Sequence, residues 1–184
     1  INGKSDSLSV RAEVSVTSSD AKRTTKLLND VIVNIFETGS IVRVSSEFGS
    51  NPGFLLESFK NVTGKIISYD NRLEVNYYIT VPEGINLKIS NTYGDVYLED
   101  IGGSLTLSLS NGSLQAGNIA KATTIDLSFV NGSVKGINSG RISASYSDIK
   151  IGDSGSLDVT SRSSKVEIDS CSGVKLNSRR DRVY

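Results

Sequence analysis

Aliphatic and polar residues alternate through the second half of the chain, and the alternation returns at a nearly constant spacing. In each of six units one aliphatic residue follows a turn-like tripeptide, and these reference residues are Val96, Leu114, Val134, Ile149, Val166 and Val183. They are separated by 18, 20, 15, 17 and 17 residues. Alternation with a period of two predicts β-strands with one apolar face, and its return at this spacing predicts stacked repeats.

Two further positions repeat in step with the reference residues. Seven residues earlier, an aliphatic position is occupied by Ile89, Leu107, Leu127, Ile142, Val159 and Leu176. Eight residues earlier, a polar position is occupied by Lys88, Thr106, Asp126, Arg141, Asp158 and Lys175. If successive units stack about 4.8 Å apart, equivalent residues lie above one another. The aliphatic position then forms an internal stripe, and the last four residues of the polar position form an outer ladder of alternating charge.

The tripeptide before each reference residue predicts a tight bend. The six are Tyr93-Gly94-Asp95, Asn111-Gly112-Ser113, Asn131-Gly132-Ser133, Tyr146-Ser147-Asp148, Ser163-Ser164-Lys165 and Arg180-Asp181-Arg182. Asn-Gly alone is equally typical of a β-hairpin. The recurring aliphatic positions favour a coil instead, because a stack of coils buries each apolar face only against its neighbours.

The sequence therefore predicts an all-β chain containing a single-stranded parallel β-helix, or β-solenoid. Residues 85–184 are expected to form about six short rungs, each rung being one turn of the coil. The chirality of parallel crossovers favours a right-handed coil. Residues 1–84 are expected to form an N-terminal α+β cap that is continuous with the core rather than an independent domain.

The cap sequence contains several element signals. Residues 8–16 alternate as a strand, and a short helix is expected at about 20–30. Two apolar runs joined through Thr38-Gly39-Ser40 predict a hairpin. Four apolar residues at 54–59 are expected to pack over the open end of the solenoid or to form a sticky patch, and a strand should end at Pro82.

Composition excludes several kinds of chemistry. The 184 residues include 20 basic and 20 acidic residues, so no net charge favours nucleic acid as a partner. There is no His, and Cys171 is the only cysteine, which rules out a His-based triad, a His/Cys zinc site and an internal disulfide. We expect Cys171 to pack as a small apolar residue. No apolar run is long enough to span a membrane, and the lack of Met suggests an excised or processed chain.

The stretch from "ITVPEG" through "LKISNTYGDVYLEDIGGSLTLSLSNGSL" resembles the DUF4097 family, which contains proposed adhesins of bacterial envelopes and has related head-GIN adhesins. The shared pattern is a "VP" stop followed by "GDV" and further Gly-x-aliphatic corners. The likeness covers roughly residues 75–184, although the corners at Ile149 and Val166 depart from it. It implies an exported β-solenoid that is periplasmic, or associated with the cell surface or outer membrane, and it supplies no catalytic residues.

The leading hypothesis for function is a non-catalytic adhesin or scaffold that binds a protein or glycan at the cell surface. A sensory or regulatory module in envelope stress and a glycan-active enzyme are the alternatives. No catalytic, cofactor or metal site is predicted. The candidate binding surface comprises Tyr93, Tyr97, Tyr146, Asp126, Arg141 and Asp158. The tyrosines could stack on ligands or simply pack within the sheet, and the charged residues could pair with one another. An exposed C-terminal strand edge could also join two copies of the chain.

Overall fold

The computed structural model describes residues 1–5, 7–18, 21–38, 41–48 and 71–184. The apolar segment at 54–59 therefore lies outside the described residues. The chain divides into two compact units, one formed by Ile1–Ser9 with Ile79–Tyr184 and the other by Val10–Tyr78. The predicted continuity of cap and core stays a prediction.

The elements before the repeat are largely those that the sequence predicts. They are β1 (Asn2–Ser5), β2 (Ser9–Ser18), α1 (Ala21–Asn29), β3 (Val31–Thr38), β4 (Ile41–Phe48) and β5 (Asn71–Pro82). β3 and β4 pair antiparallel along their whole length, which confirms the hairpin. β5 lies between β1 and β2 in a second sheet.

The short helix α1 ends where the sequence predicts. The Asp30 N–H donates to the Lys26 carbonyl at 3.0 Å in the last turn. Lys26 also places a positive charge there, where it complements the negative end of the helix dipole. Within the described residues, no helix has the length and apolar character that a membrane crossing requires.

The rest of the chain is a parallel β-solenoid of about six rungs, as predicted. Its strands are β6 (Leu87–Asn91), β7 (Val96–Leu98), β8 (Leu105–Ser145), β9 (Asp148–Arg162), β10 (Lys165–Arg179) and β11 (Arg182–Val183). β8 pairs with β6, β7 and β9, β9 pairs with β10, and β10 pairs with β11, in each case in parallel. The strand β8 is 41 residues long because its hydrogen bonding continues around the bends of the coil.

The predicted internal stripe exists, and most of its residues are in the predicted register. Ile89 pairs with Leu107, and Ile142 pairs with Val159, which in turn pairs with Leu176. Leu107, Ile142 and Val159 are fully buried, whereas Leu176 in the last rung is 43% exposed, so the prediction of an internal position is wrong for Leu176. Burial of a Leu, Ile or Val side chain contributes roughly 1.5–3 kcal/mol, so this stripe is a principal source of stability.

The third rung lies two residues away from the predicted alignment. Gly132, not Val134, pairs with Ile149, and a Cβ at Gly132 would lie 3.4 Å from Leu114 on the other side. The reference residue of this rung is therefore Gly132, and the spacing becomes 18, 18, 17, 17 and 17 residues. Val134 is still buried, because it pairs with Ile151 one step further along the strand.

The same shift moves the other third-rung residues. Gly140 packs against the carbonyl of Thr123, which places Ile125 beside Ile142 in the stripe and Leu127 beside Ala144. Ile125 and Leu127 are both buried, so the apolar pattern of the rung is kept while its alignment changes. The alternation of apolar and polar residues does not reveal a shift of two residues, because a step of two returns every side chain to the same face.

One bend of the coil is built on a left-handed residue in every rung from the second onward. The positive φ angles belong to Asn111 (55°), Phe129 (56°), Tyr146 (50°), Ser163 (52°) and Arg180 (59°). These residues are 18, 17, 17 and 17 positions apart, so they occupy the same bend, which we call the left-handed corner. A non-glycine residue in this conformation costs about 1 kcal/mol or more, and the packing of neighbouring rungs must offset that cost.

The corner of the third rung was predicted at Asn131-Gly132-Ser133, and this prediction is wrong. Phe129 adopts the left-handed conformation instead, and Val130 behind it is 1% exposed. The position behind the corner is occupied in the next two rungs by Ser147 and Ser164, both buried. With the corner at Phe129, the phenylalanine ring is exposed and Val130 fills the buried position, so the burial of Val130 outweighs the local preference of Asn-Gly for a bend.

Glycines at the other bend make close approaches between rungs. A Cβ added at Gly152 would collide with the backbone carbonyl of Lys135 in the preceding rung. At Gly173 of the next rung, an added Cβ would meet only the Ser156 hydroxyl, at 4.0 Å.

We therefore expect Gly152→Ala to lower the free energy of unfolding by about 1–3 kcal/mol, because the added methyl forces the two rungs apart. Gly173→Ala is the matched control, and it should change stability by less than about 0.5 kcal/mol, as is usual for surface substitutions. Urea denaturation followed by circular dichroism measures both. Equal effects of the two substitutions would contradict the close approach at Gly152.

Candidate functional site

The left-handed corner carries two exposed aromatic rings that stack on each other. Phe129 and Tyr146 are 59% and 49% exposed, although both lie in the best-packed part of the solenoid. Their ring centroids are 5.0 Å apart and their planes differ by 5°. We call this pair the aromatic pair. The ring separation is close to the spacing of strands, which is about 4.8 Å, so the stack follows directly from the pairing of successive rungs.

Each ring of the aromatic pair covers one face of the other and leaves its second face open to the next corner residue. That neighbour is Asn111 beyond Phe129 and Ser163 beyond Tyr146, and neither carries a ring. Stacked rings are worth about 0.5–1.5 kcal/mol beyond their area burial. The pair is therefore held rigid, while a planar or ring-shaped group can still approach its outer faces.

Two of the predicted tyrosines lie in the first rung. Tyr93 precedes Gly94, which has a φ of 114° and donates its N–H to the Asn111 carbonyl at 3.3 Å. Tyr93 thus belongs to the same bend as the aromatic pair. Tyr97 pairs with Gln115 on the strand that follows the bend. Both tyrosines are more than half exposed.

Phe129 was not predicted as a site residue, although Tyr146 was. The signal was available in the sequence, because Phe129 lies 17 residues before Tyr146 and Ser163 lies 17 residues after it. The Asn-Gly dipeptide at 131–132 instead favours a bend two residues later, which interrupts the spacing of 17 residues.

The predicted charged residues lie on the face that precedes the corner. Arg141 and Asp158 pair in register and form an ion pair of 3.6 Å, and Lys175 follows in the next rung. Asp126 does not continue this ladder, because the two-residue shift of its rung places it beside Ser143. The predicted four-residue ladder is therefore wrong at Asp126. Arg141 and Asp158 each stand five residues before a corner residue, so they are not brought together with the aromatic pair.

A second charged cluster, not predicted from the sequence, lies on the face that follows the corner. The Lys150 ammonium lies 3.1 Å from the Glu167 carboxylate and 3.0 Å from the Asp169 carboxylate. The Lys165 ammonium lies 3.5 Å from the same Glu167 carboxylate. Hydrogen bonds to Asp169 and then Glu167 raise the pKa of Lys150. The hydrogen bond from Lys150 lowers the pKa of Glu167. Lys150, Lys165 and Asp169 are exposed and Glu167 is partly exposed, so water and salt weaken these interactions.

A ladder of hydroxyls supports the corner from inside. The Val130 N–H donates to Ser147 Oγ at 3.1 Å, and the Ser147 N–H donates to Ser164 Oγ at 3.2 Å. In the last step the Ser164 N–H donates to Asp181 Oδ1 at 2.8 Å. Each side chain thus satisfies a backbone donor of the preceding rung, which a buried bend requires.

Asp181 ends this ladder and is held by several donors. Its Oδ2 accepts hydrogen bonds from the hydroxyls of Ser161 (2.9 Å) and Ser178 (2.6 Å) and from the Arg179 N–H (2.5 Å). Burial raises the pKa of Asp181, but the hydrogen bonds from Ser178, Ser164, Ser161 and Arg179 together outweigh burial and lower the pKa below its ordinary value.

The remaining groups with metal-binding or thiol chemistry are the carboxylates and Cys171. Across the described residues, His, Cys, Asp and Glu do not gather in groups of three or more that could hold a metal ion. Cys171 is exposed, so the prediction that it packs as an apolar residue is wrong. It pairs with Ser154 at the bend opposite the left-handed corner, outside the apolar interior.

The comparisons with protein-family models, with curated proteins and with solved structures each find no match for this chain.

We expect the contribution of Asp181 to stability to depend on pH. Because its pKa is lowered in the folded state, the charged carboxylate stabilises the fold above the ordinary value of 3.8, and this contribution is lost as the pH falls through the lower folded value. Asp181→Asn should cost about 1 kcal/mol at pH 7, and the difference from the original protein should shrink below about pH 4.

Denaturant unfolding between pH 2.5 and pH 7 measures this difference. Asp126→Asn is the matched control, since it removes an exposed carboxylate from the outer face and should change stability little at any pH. An effect of Asp181→Asn that stays constant over the whole pH range would contradict the assignment.

Proposed function

We propose that this chain is a non-catalytic binding protein of the cell envelope, an adhesin or scaffold, which uses its solenoid surface to bind a protein or glycan at the cell surface. The single observation that carries the proposal is the aromatic pair, Phe129 and Tyr146, stacked and about half exposed at a bend. Exposed aromatic surface on a rigid support is typical of binding sites, because the rings supply contact area at little cost in conformational entropy.

The placement of the aromatic residues supports the same proposal. Tyr93, Phe129 and Tyr146 all lie at one bend, spread over rungs that repeat about every 4.8 Å. A ligand with its own repeating units, such as a glycan, can meet such a row at several points at once. Solenoids characteristically use extended surfaces of this kind for binding.

Export to the periplasm, cell surface or outer membrane belongs to the same proposal, as does membership in the DUF4097 family. Both rest on the resemblance of the sequence from Ile79 through Leu114. The sensory and enzymatic alternatives stay predictions, and no contact in the solenoid favours either of them over binding.

Removal of the aromatic pair tests the proposal. The double substitution Phe129→Asn and Tyr146→Asn deletes both rings, and asparagine tolerates the left-handed conformation, so the bend should be kept. We expect binding to glycan arrays and to whole cells to weaken about tenfold or more, as is usual when aromatic anchors are removed from an interface.

Tyr78→Asn is the matched control, because it also removes an exposed ring (56% exposed) but one that does not belong to the left-handed corner. It should leave binding within about twofold of the original protein. Failure of the original protein to bind any glycan, cell or envelope protein on such panels would refute the proposed function.

A further inference from the structure

Five basic residues crowd the left-handed corner of the last two rungs. Within one rung, Arg162 and Lys165 flank Ser163. In the next rung, Arg179 and Arg182 lie on the two sides of Arg180. All five side chains are exposed. We call these five residues the basic corner. The chain as a whole has no net charge, so this concentration is local.

The basic corner places like charges directly beside each other. Arg162 pairs in register with Arg179, and Lys165 pairs in register with Arg182. Like charges at facing positions of a sheet are destabilising. Elsewhere on the same sheet, neighbouring charges have opposite signs, as Arg141 beside Asp158 shows. The basic corner therefore bears an electrostatic cost that the rest of the solenoid avoids.

Acidic residues of the described chain offset the charge of Lys165, which pairs in register with Asp148 of the preceding rung. Lys165 lies 3.5 Å from Glu167, and its ammonium stands 5.6 Å from the centre of the Tyr184 ring. The guanidinium groups of the four arginines form no ion pair within the residues that the structure describes. Asp181 follows Arg180 in sequence, but its two oxygens are occupied by hydroxyls and backbone N–H groups under the bend.

The basic corner continues the row that begins with the aromatic pair. Along the bend the residues run Phe129, Tyr146, Ser163, Arg180, one per rung, over a length of about 14 Å. The open face of the Tyr146 ring is thus followed by a small side chain and then by a planar guanidinium. Arg162 and Lys165 lie on either side of Ser163 in the same rung.

We infer that the basic corner and Tyr146 together bind an acidic polysaccharide, with a sugar ring against Tyr146 above Ser163 and its carboxylates on the arginines. The inference rests on the proposed binding function and names its ligand class. Guanidinium and carboxylate groups match in geometry and form paired hydrogen bonds, whereas a sugar ring needs only one aromatic face. Single-stranded nucleic acid fits less well, because it stacks successive bases and here only one ring face borders the arginines.

The test compares binding of polygalacturonate, fully methyl-esterified pectin and oligo(dT) to the complete chain. We expect the protein to bind polygalacturonate with an affinity that falls as salt rises, and the esterified polymer, whose carboxylates are blocked, at least about tenfold more weakly. The triple substitution Arg162→Gln, Arg179→Gln and Arg180→Gln should weaken polygalacturonate binding by about tenfold or more. Its melting temperature should not fall, because like-charge repulsion is removed.

The matched control is Lys88→Gln, Lys121→Gln and Lys135→Gln, which removes the same charge from exposed positions of the same solenoid. It should change binding of polygalacturonate by less than about threefold, in keeping with the small effect of distant exposed charges. Equal losses in the two triple variants, or equal binding of the esterified polymer, would overturn the inference. If oligo(dT) binds more tightly than polygalacturonate and loses this binding in the triple arginine variant, the assignment of an acidic polysaccharide as the ligand is overturned.

The outcome also separates this inference from the proposed function. If polygalacturonate does not bind, while another ligand binds in a manner that depends on Phe129 and Tyr146, the inference fails and the proposed function stands. If nothing binds, both fail.

Discussion

The stacking of each rung on the previous one in parallel register is the constraint on which the rest of the solenoid depends. The aliphatic side chains of one rung are covered only by those above and below, as Ile142 is by Ile125 and Val159. The same stacking holds every bend at the same place, so that a conformation costly for a single residue recurs down the left-handed corner. It also sets the separation of Phe129 and Tyr146, because rings at the same bend of adjacent rungs can meet face to face.

The fold was largely predictable from the sequence because its main determinant is periodic. Ile142, Val159 and Leu176 lie 17 residues apart, and the return of one aliphatic position at a constant spacing is typical of stacked repeats. The third rung was misaligned for a physical reason. Alternation does not reveal a shift of two residues, and the preference of Asn131-Gly132 for a bend favours the wrong alignment. With the corner at Phe129, Val130 is buried and its N–H donates to Ser147 Oγ.

The surface was less predictable than the interior, because its aromatic and charged residues do not recur in every rung as the aliphatic residues do. Tyr146 and the pairing of Arg141 with Asp158 could be foreseen from spacing, and Phe129 was lost with the misaligned rung. In the sequence, Asp181 stands between Arg180 and Arg182 and would be expected to neutralise them. In the structure it turns to Ser161, Ser178 and the Ser164 N–H, so the arginines keep their charge. A satisfied buried backbone group here outweighs an exposed ion pair, which is the usual order of the two energies.

The left-handed corner has a consequence for how such a molecule can be altered. Asparagine, phenylalanine, tyrosine, serine and arginine all occupy this bend with φ angles between 50° and 59°. The framework therefore dictates the path of the backbone there and leaves the chemistry of the side chain open. Substitutions along this bend can therefore change the surface chemistry of the solenoid while the path of the backbone and the packing of the interior stay the same.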